Sequence, residues 1–341
     1  MKYFKYLRYL ITGCLFSTIF LSCKQISPAD QKLVFNNPLV LQRADPFVYK
    51  TPEGVYYLIA TVPEYDRIEI RSSNTINGLT EAEPVVAWSR PESGDMSGHI
   101  WAPELHRIDG TWYIYFAAGR ADDEWRIRMW VLSNDSEIPT QGEWVARGQI
   151  QTERDAFALD ATTFVYEGQR YLLWTENVGP DGHNTGLLLA KMADPLTIVG
   201  PQVVLTVPEY EWEIQRYRVN EAPAVIFRNN KIFVTYSASA TDHNYAIGLL
   251  WAEMGSNLLD TASWNKSSEP IFFSNPEFNR FGPGHNSFTV AEDGVTDLIF
   301  YHARDYKEIV GHPLFDPNRH TRVRVLNWTE AGFPDFGQNY E

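Results

Sequence analysis

The sequence has 341 residues, 44% of them hydrophobic, and a formal net charge of −14 at pH 7. This hydrophobic fraction predicts a globular fold, and the acidic balance argues against the basic patches by which proteins bind nucleic acid or anionic lipid. The two cysteines, Cys14 and Cys23, both lie near the N-terminus, so the rest of the chain has neither a disulfide nor a cysteine-based metal site.

The first 23 residues have the layout of a secretory signal. A basic segment, MKYFKYLR, precedes an apolar stretch of about a dozen residues, which is short for a membrane span. Cys23 closes this stretch and opens onto the polar segment KQISPADQK. This pattern predicts a lipoprotein-type signal over residues 1–23 and a polar tether over residues 24–33. Acylation at Cys14 and an ordinary signal with incidental cysteines are the alternatives.

Export follows from this interpretation of the N-terminus. We expect the protein to be lipid-anchored, either in the periplasm or at the cell surface, and to meet the membrane only through that anchor. Residues 34–341 contain no low-complexity or linker-like stretch, so we expect one continuous domain there.

Five segments of this domain repeat one pattern: a short strand, a Gly or Asn turn, and a second strand. They begin at Ala44, Trp101, Leu159, Asn220 and His285, and their turns contain Gly54, Gly110, Gly168, Asn229-Asn230 and Gly294. A third strand-like element follows each hairpin, and the unit recurs about every 60 residues. The pattern predicts an all-β fold, a five-bladed β-propeller forming a single catalytic domain. A β-sandwich of this length would not explain five equivalent copies.

Propeller geometry brings distant residues together. The first strand of each blade lines the central channel, so the residues at the strand entries meet at one mouth. We therefore expect convergence of Asp45, Trp101, Asp160, Glu221 and the pair His285-Asn286. Three carboxylates at short range raise one another's pKa, and such an arrangement is costly unless function maintains it.

Glycoside hydrolysis with inversion needs this kind of set. One protonated carboxylic acid and one ionised carboxylate flank the glycosidic bond, with about 6.5–9.5 Å between them for a water molecule. A third carboxylate near the acid raises its pKa, so the acid stays protonated near neutral pH.

The strings RADPFV, HIWAPELH, LDATTF, NEAPAV and FGPGHNSF resemble the five-bladed glycosidases of glycoside hydrolase family 43, over about residues 40 to 330. The resemblance implies that Asp45 is the general base, that Asp160 tunes the pKa of the acid and orients it, and that Glu221 is the general acid. No organic cofactor is implied, since the chemistry is proton transfer and attack by water.

Four further residues each have two interpretations. The resemblance implies a channel cation, commonly calcium, near His285, whereas a hydrogen-bonded structural histidine is the alternative. Trp101 forms a wall of the sugar pocket or packs between blades. Arg304 resembles an arginine that binds sugar hydroxyls in the terminal subsite, with a surface ion pair as the alternative. Phe47 shares a strand face with Asp45 by alternation, which places it in the pocket or in the core.

The family acts mainly on α-L-arabinofuranosides and β-D-xylosides. The strings NEAPAV, FGPGHNSF and YHARDY most resemble the exo-acting arabinofuranosidases that trim α-1,5-linked arabinan, so we expect an arabino-oligosaccharide substrate. The alternatives are a β-1,4-xylosidase acting on xylo-oligosaccharides, an endo-arabinanase, and a glycan-binding propeller without catalysis. The presence of all three carboxylates favours a hydrolase over a binding module.

Overall fold

The computed structural model describes residues 33–179 and 184–340. The predicted signal and residues 24–32 of the predicted tether lie outside these ranges. The chain divides into two units, Met1–Val34 and Phe35–Glu341, and the description that follows concerns the second. Within the described ranges, no helix has the length and apolar character needed to cross a bilayer.

The predicted five-bladed β-propeller is confirmed. The first two blades are four-stranded antiparallel sheets in which neighbours in sequence pair. Blade 1 contains β1 (Ala44–Lys50), β2 (Tyr56–Thr61), β3 (Arg67–Ser73) and β4 (Val85–Ser89). Blade 2 contains β5 (Asp95–Ile108), β6 (Thr111–Arg120), β7 (Asp123–Asn134) and β8 (Val145–Gln149).

The third and fourth blades follow the same order, and a short parallel pairing between β11 and β13 joins them into one eight-stranded sheet. Blade 3 contains β9 (Ala158–Tyr166), β10 (Gln169–Asn177), β11 (Asn184–Asp194) and β12 (Thr197–Thr206). Blade 4 contains β13 (Arg218–Arg228), β14 (Lys231–Ala238), β15 (Ala246–Glu253) and β16 (Asn265–Lys266).

The fifth blade has three strands of its own, and the start of the domain completes it. Its strands are β17 (Phe281–Val290), β18 (Asp297–Arg304) and β19 (His320–Val325). Val40 forms an antiparallel bridge with Thr321 of β19, and the Asn37 side chain exchanges two hydrogen bonds with the backbone of Val323. Pairing the first residues of the domain with β19 in this way closes the ring and covers an open sheet edge.

The remaining elements are short. A hairpin of β20 (Asn327–Trp328) and β21 (Pro334–Asp335) follows the last blade. One helical turn, α1, spans Gly78–Glu81, and 3-10 turns occupy Glu211–Glu213, Thr261–Ser263, Pro276–Phe278 and Pro313–Phe315.

The predicted hairpin turns are present in all five blades. Three of them are two-residue loops in which both residues have positive φ, a feature of the type I′ turns that match the twist of paired strands. These loops are Asp109-Gly110, Glu167-Gly168 and Asn229-Asn230. Gly54 and Gly294, in the two longer loops, also have positive φ, at 90° and 74°.

The core lies between adjacent blades. In β6, Trp112, Ile114 and Phe116 pack towards blade 1, whereas Tyr113 and Tyr115 pack towards blade 3. Both faces of such a strand are buried, which explains why the aromatic and apolar runs are nearly continuous. Each large side chain buried in this way contributes about 1.5–3 kcal/mol.

The ring closure predicts a contrast between two nearby leucines. Leu39 is fully buried beside the closing strand, whereas Leu41 is 63% exposed. We expect Leu39→Ala to lower the free energy of unfolding by about 2–5 kcal/mol, because it leaves a cavity at the seam of the ring. Leu41→Ala is the matched control and should change it by less than about 0.5 kcal/mol. Denaturant unfolding of both variants tests this, and equal effects would contradict the role of the seam.

Candidate active site

Each inner strand has a residue with left-handed backbone at an equivalent position near the mouth of the channel. These residues are Asp45, Ala102, Asp160, Ala222 and His285, with φ between 45° and 56°. The register of the first strand pair shifts at or beside each of them. Such bulges bend a strand and re-aim its side chains, and left-handed non-glycine residues cluster at functional sites.

This repeat also corrects the alignment made from the sequence. The equivalents of Asp45 and Asp160 are Ala102 and Ala222, each one residue after the predicted entry residues Trp101 and Glu221, and His285, the first residue of the predicted pair His285-Asn286. Glu221 thus precedes the left-handed residue of its strand, whereas the two aspartates are themselves left-handed.

The bulged strands surround a cavity of about 110 Å³ at the mouth of the channel. The structure brings the three predicted carboxylates, His285 and Trp101 together in its wall. The complete lining is Asp45, Trp101, Ala102, Trp125, Phe157, Leu159, Asp160, Glu221, Thr241, His285, Leu314 and Arg319.

Asp45 is buried among cations and hydrogen-bond donors. Thr61 Oγ1 donates to its Oδ2 at 2.6 Å, while His285 Nδ1 and Arg319 Nη1 lie 3.2 Å and 3.4 Å from its Oδ1. Burial alone would raise the pKa of Asp45, but the charges of His285 and Arg319 hold it well below its usual value. Asp45 is therefore an ionised carboxylate at neutral pH.

Glu221 has the opposite environment. Its side chain is partly exposed to the cavity, and Tyr245 Oη donates to its Oε1 at 2.6 Å. Removal from bulk water, followed by the charge of Asp160, raises the pKa of Glu221 to about 7. The environments of Asp45 and Glu221 thus push the pKa values of two carboxyl groups apart.

Asp160 is held against the backbone of the strand that carries Glu221. The Ala222 amide donates to its Oδ2 at 2.9 Å. Burial raises the pKa of Asp160 to about 6, against the opposing charge of His285. A carboxylate fixed here favours the protonated form of Glu221.

His285 is paired with carboxylates. Burial alone would lower its pKa, but Asp45 and Asp160 raise it to about 9. In the described ranges, no group of three or more His, Cys, Asp or Glu side chains is arranged to hold a metal ion. The described residues therefore give no support to the calcium predicted beside His285, and that site stays a prediction.

Trp101 takes part in both of its predicted environments. It lines the cavity, and its ring stacks on His99 with centroids 4.7 Å apart and meets Tyr65 edge-on at 5.7 Å. The same side chain belongs to the hydrophobic cluster beneath the mouth. Trp125, beside it, is 52% exposed.

Arg304 does not reach the cavity, which corrects the predicted contact with sugar hydroxyls. It is 1% exposed, and its guanidinium donates to the carbonyls of Thr241 and Pro313 and to the Asp316 carboxylate. Thr241 and Leu314, the residue after Pro313, both line the cavity. Arg304 thus ties together two loops that form its wall.

Phe47 also lies away from the cavity, so its predicted pocket role is corrected. It packs in the core between blades 1 and 2 and lies 4.9 Å from the His106 ring. The left-handed backbone of Asp45 and the register shift between Ala44 and Phe47 break the strand alternation on which the prediction relied.

Four residues that contact the carboxylates are not predicted from the sequence: Thr61, Tyr245, His302 and Arg319. Arg319 and Tyr245 both belong to loops and stand directly before a strand, β19 and β15 respectively. The signal available in the sequence is a bulky polar residue at the entry of each of these two strands. The hairpin repeat does not include the entries of these strands, so it does not point to either residue.

Comparisons with known proteins agree with this geometry. The family model described as "Glycosyl hydrolases family 43" matches residues 35–334. An "Extracellular exo-alpha-(1->5)-L-arabinofuranosidase" from Streptomyces avermitilis is 50% identical over 311 residues, which cover 91% of this chain but 65% of that protein. The protein of the same name from Streptomyces chartreusis is 53% identical over 279 residues, or 82% of this chain and 85% of that protein.

Among solved structures, an alpha-L-arabinofuranosidase from Lactobacillus brevis superposes with a TM-score of 0.86 at 48% identity. The match covers 90% of this chain and 98% of that one.

Proposed function

The chain belongs to glycosyl hydrolase family 43, and from this premise we propose that it is an inverting exo-α-1,5-L-arabinofuranosidase. It removes terminal α-L-arabinofuranosyl residues from α-1,5-linked arabinan or arabino-oligosaccharides. Three observations support this substrate: the two Streptomyces relatives are named for it, and the similar Lactobacillus brevis structure is an arabinofuranosidase.

One observation carries the proposed chemistry. Two carboxyl groups from different blades line one cavity, and their surroundings shift their pKa values in opposite directions. A pair of this kind divides into an acid and a base near neutral pH. Asp45, which is ionised, takes the role of base, and Glu221, which is protonated, takes the role of acid.

The proposed reaction is a single displacement. Asp45 accepts a proton from a water molecule as the water oxygen attacks the anomeric carbon, and Glu221 donates its proton to the glycosidic oxygen as the C–O bond breaks. Asp160 keeps Glu221 protonated and aligned through the Ala222 amide. The products are an inverted arabinose and a chain one sugar shorter.

The shape of the cavity supports exo action. Its small volume, about 110 Å³, favours one terminal sugar ring over an internal stretch of polysaccharide. Leu314 and Thr241 wall one side, and the buried Arg304 holds their loops together. Trp101 supplies an apolar face for the ring in the cavity, and Trp125, which also lines the cavity, is half exposed.

Export is part of the same proposal. The two Streptomyces relatives are named extracellular, which supports the exported location expected from the N-terminal sequence. Acylation at Cys23 is a separate prediction, and it concerns residues outside the described ranges.

Product analysis tests the function. Purified protein is incubated separately with linear α-1,5-arabino-oligosaccharides and β-1,4-xylo-oligosaccharides, and products are followed from the first percent of turnover. We expect arabinose as the first product, formed as the β-anomer when NMR spectra are recorded early. A ladder of internal fragments would indicate an endo-arabinanase, and xylose would indicate a β-xylosidase. Binding without turnover would indicate a glycan-binding propeller.

The pKa of Glu221 predicts the pH dependence. The acid works only when protonated, so kcat/KM on an arabino-oligosaccharide should fall as the pH rises through about 7. A 4-nitrophenyl arabinofuranoside has a leaving group that needs little protonation, and its rate should fall much less over the same range. Parallel pH profiles for the two substrates check this, and limbs of equal steepness would contradict Glu221 as the acid.

A further inference from the structure

Tyr245 lies behind Glu221, outside the lining of the cavity. Its hydroxyl donates to Glu221 Oε1 at 2.6 Å, and its side chain is 1% exposed. Because Oε1 is engaged from behind, Oε2 is the oxygen left for a ligand in the cavity. The contact therefore fixes which of the two carboxyl oxygens is available.

The ring of Tyr245 is itself held in place on two sides. It stacks on His302 with centroids 5.6 Å apart and planes within 3°, and His302 Nδ1 accepts the backbone amide of Asp45 at 3.1 Å. On the other side, a Cβ added to Gly284 would come within 2.2 Å of Tyr245 Cε1. Gly284, the second glycine of the GPGH string, has no side chain and thus leaves the space that this ring occupies.

We propose that Tyr245 is a positioning residue for the proton donor: its hydroxyl holds Oε1 of Glu221 so that Oε2 presents the proton to the leaving oxygen. This inference rests on the proposed function, since it assigns Glu221 as the general acid. Through His302, the same ring also contacts the backbone of the strand that carries Asp45.

The hydrogen bond gains strength during the proposed step. As Glu221 Oε2 gives its proton to the glycosidic oxygen, the electron pair of the breaking C–O bond passes to the leaving group and Glu221 becomes an anion. Tyr245 keeps its own proton, and its hydroxyl donates a hydrogen bond to Oε1 throughout the step. A donor aimed at a charge that develops in the transition state lowers the barrier. Burial, together with the charge of Glu221, raises the pKa of Tyr245 well above its usual value, so it stays a donor.

Several charged groups act on Glu221 besides Tyr245. Asp160 on β9 and Asp45 on β1 favour its protonated form, whereas His285 on β17 and the Tyr245 hydrogen bond favour the anion. Removing the Tyr245 hydroxyl leaves the charges of Asp160, Asp45 and His285 in place. The pKa of Glu221 should then rise, which moves the alkaline limb of the pH profile to higher pH.

The test is Tyr245→Phe, which removes one oxygen and keeps the ring. We expect kcat on arabino-oligosaccharides to fall about 10- to 100-fold, with KM nearly unchanged, while turnover of the 4-nitrophenyl arabinofuranoside stays near the wild-type rate. The alkaline limb on the oligosaccharide should move to higher pH.

Tyr115→Phe is the matched control, because Tyr115 is fully buried and its hydroxyl donates a hydrogen bond to the Pro195 carbonyl between blades 2 and 3. The control should keep the wild-type rates and pH profile.

Gly284→Ala provides a second route to the same result. The added methyl group displaces the Tyr245 ring, so the loss of kcat should again be larger for the oligosaccharide than for the activated substrate.

Wild-type rates in Tyr245→Phe, or equal losses on the two substrates with an unmoved pH limb, would overturn the inference while the proposed function stands. A wild-type protein that hydrolyses no glycoside would overturn the proposed function, and with it the inference.

Discussion

Glu221→Gln is expected to reduce kcat on α-1,5-arabino-oligosaccharides by about 10²- to 10⁴-fold, the range that general acid catalysis supplies. The amide matches the carboxylic acid in shape, and its oxygen still accepts the hydrogen bond that Tyr245 donates to Oε1. It has no acidic proton for the glycosidic oxygen. Turnover of the 4-nitrophenyl arabinofuranoside should therefore be reduced far less, and oligosaccharide binding should persist when measured by calorimetry.

Glu209→Gln is the control for this variant. Glu209 lies in the loop before β13, and its side chain is 57% exposed, so we expect wild-type kinetics. Full oligosaccharide activity in Glu221→Gln would show that the proton comes from another group. Equal losses on both substrates would indicate a structural role instead.

Asp45→Asn is expected to reduce turnover of both substrates by about 10²- to 10⁴-fold. Water needs a base whatever the leaving group, so an activated aryl group does not restore the rate. This pattern differs from that of Glu221→Gln, and the pair of variants separates base from acid. Rates are measured at substrate concentrations well above and well below KM.

The same variant should also be less stable. Asp45 lies against Arg319 and the protonated His285, and removing its charge leaves Arg319 without this carboxylate and His285 with Asp160 as its nearby anion. Losing one partner of a buried ion pair typically costs about 3–5 kcal/mol. Thermal unfolding should report this loss, and rates must be measured well below the lowered midpoint. Asp135→Asn, on an exposed turn of blade 2, controls for the change of residue type. Retained aryl-glycoside turnover in a folded Asp45→Asn protein would refute Asp45 as the base.

Much of the fold could be predicted because its determinants are local. A Gly or Asn turn followed by a β-rich run specifies a hairpin from a few neighbouring residues, and Gly110, Gly168 and Asn229-Asn230 have the positive φ that such turns require. Period-2 alternation in β6 likewise separates the two faces that pack against blades 1 and 3. The closing pair Val40–Thr321 was not predicted, since it joins residues from opposite ends of the domain.

The candidate site divides in the same way. Asp45, Asp160 and Glu221 were found from the sequence because they recur at strand entries, which the blade repeat places at one mouth. Arg304 ends β18, and Arg319 stands 15 positions later, directly before β19. Nothing in their local sequence shows that Arg304 holds two loops together while Arg319 faces Asp45.

Local sequence patterns therefore determined the five hairpins, the propeller class and the carboxylates at the strand entries, because each depends on side-chain periodicity and turn chemistry within a few residues. The tertiary structure decided the placement of Phe47, Arg319 and Tyr245, since a backbone bulge and two loops set where these side chains point. It also decided the protonation states. A pKa depends on burial and on charges brought close by folding. The charged neighbours that lower the pKa of Asp45, and the one that helps to raise the pKa of Glu221, come from other blades.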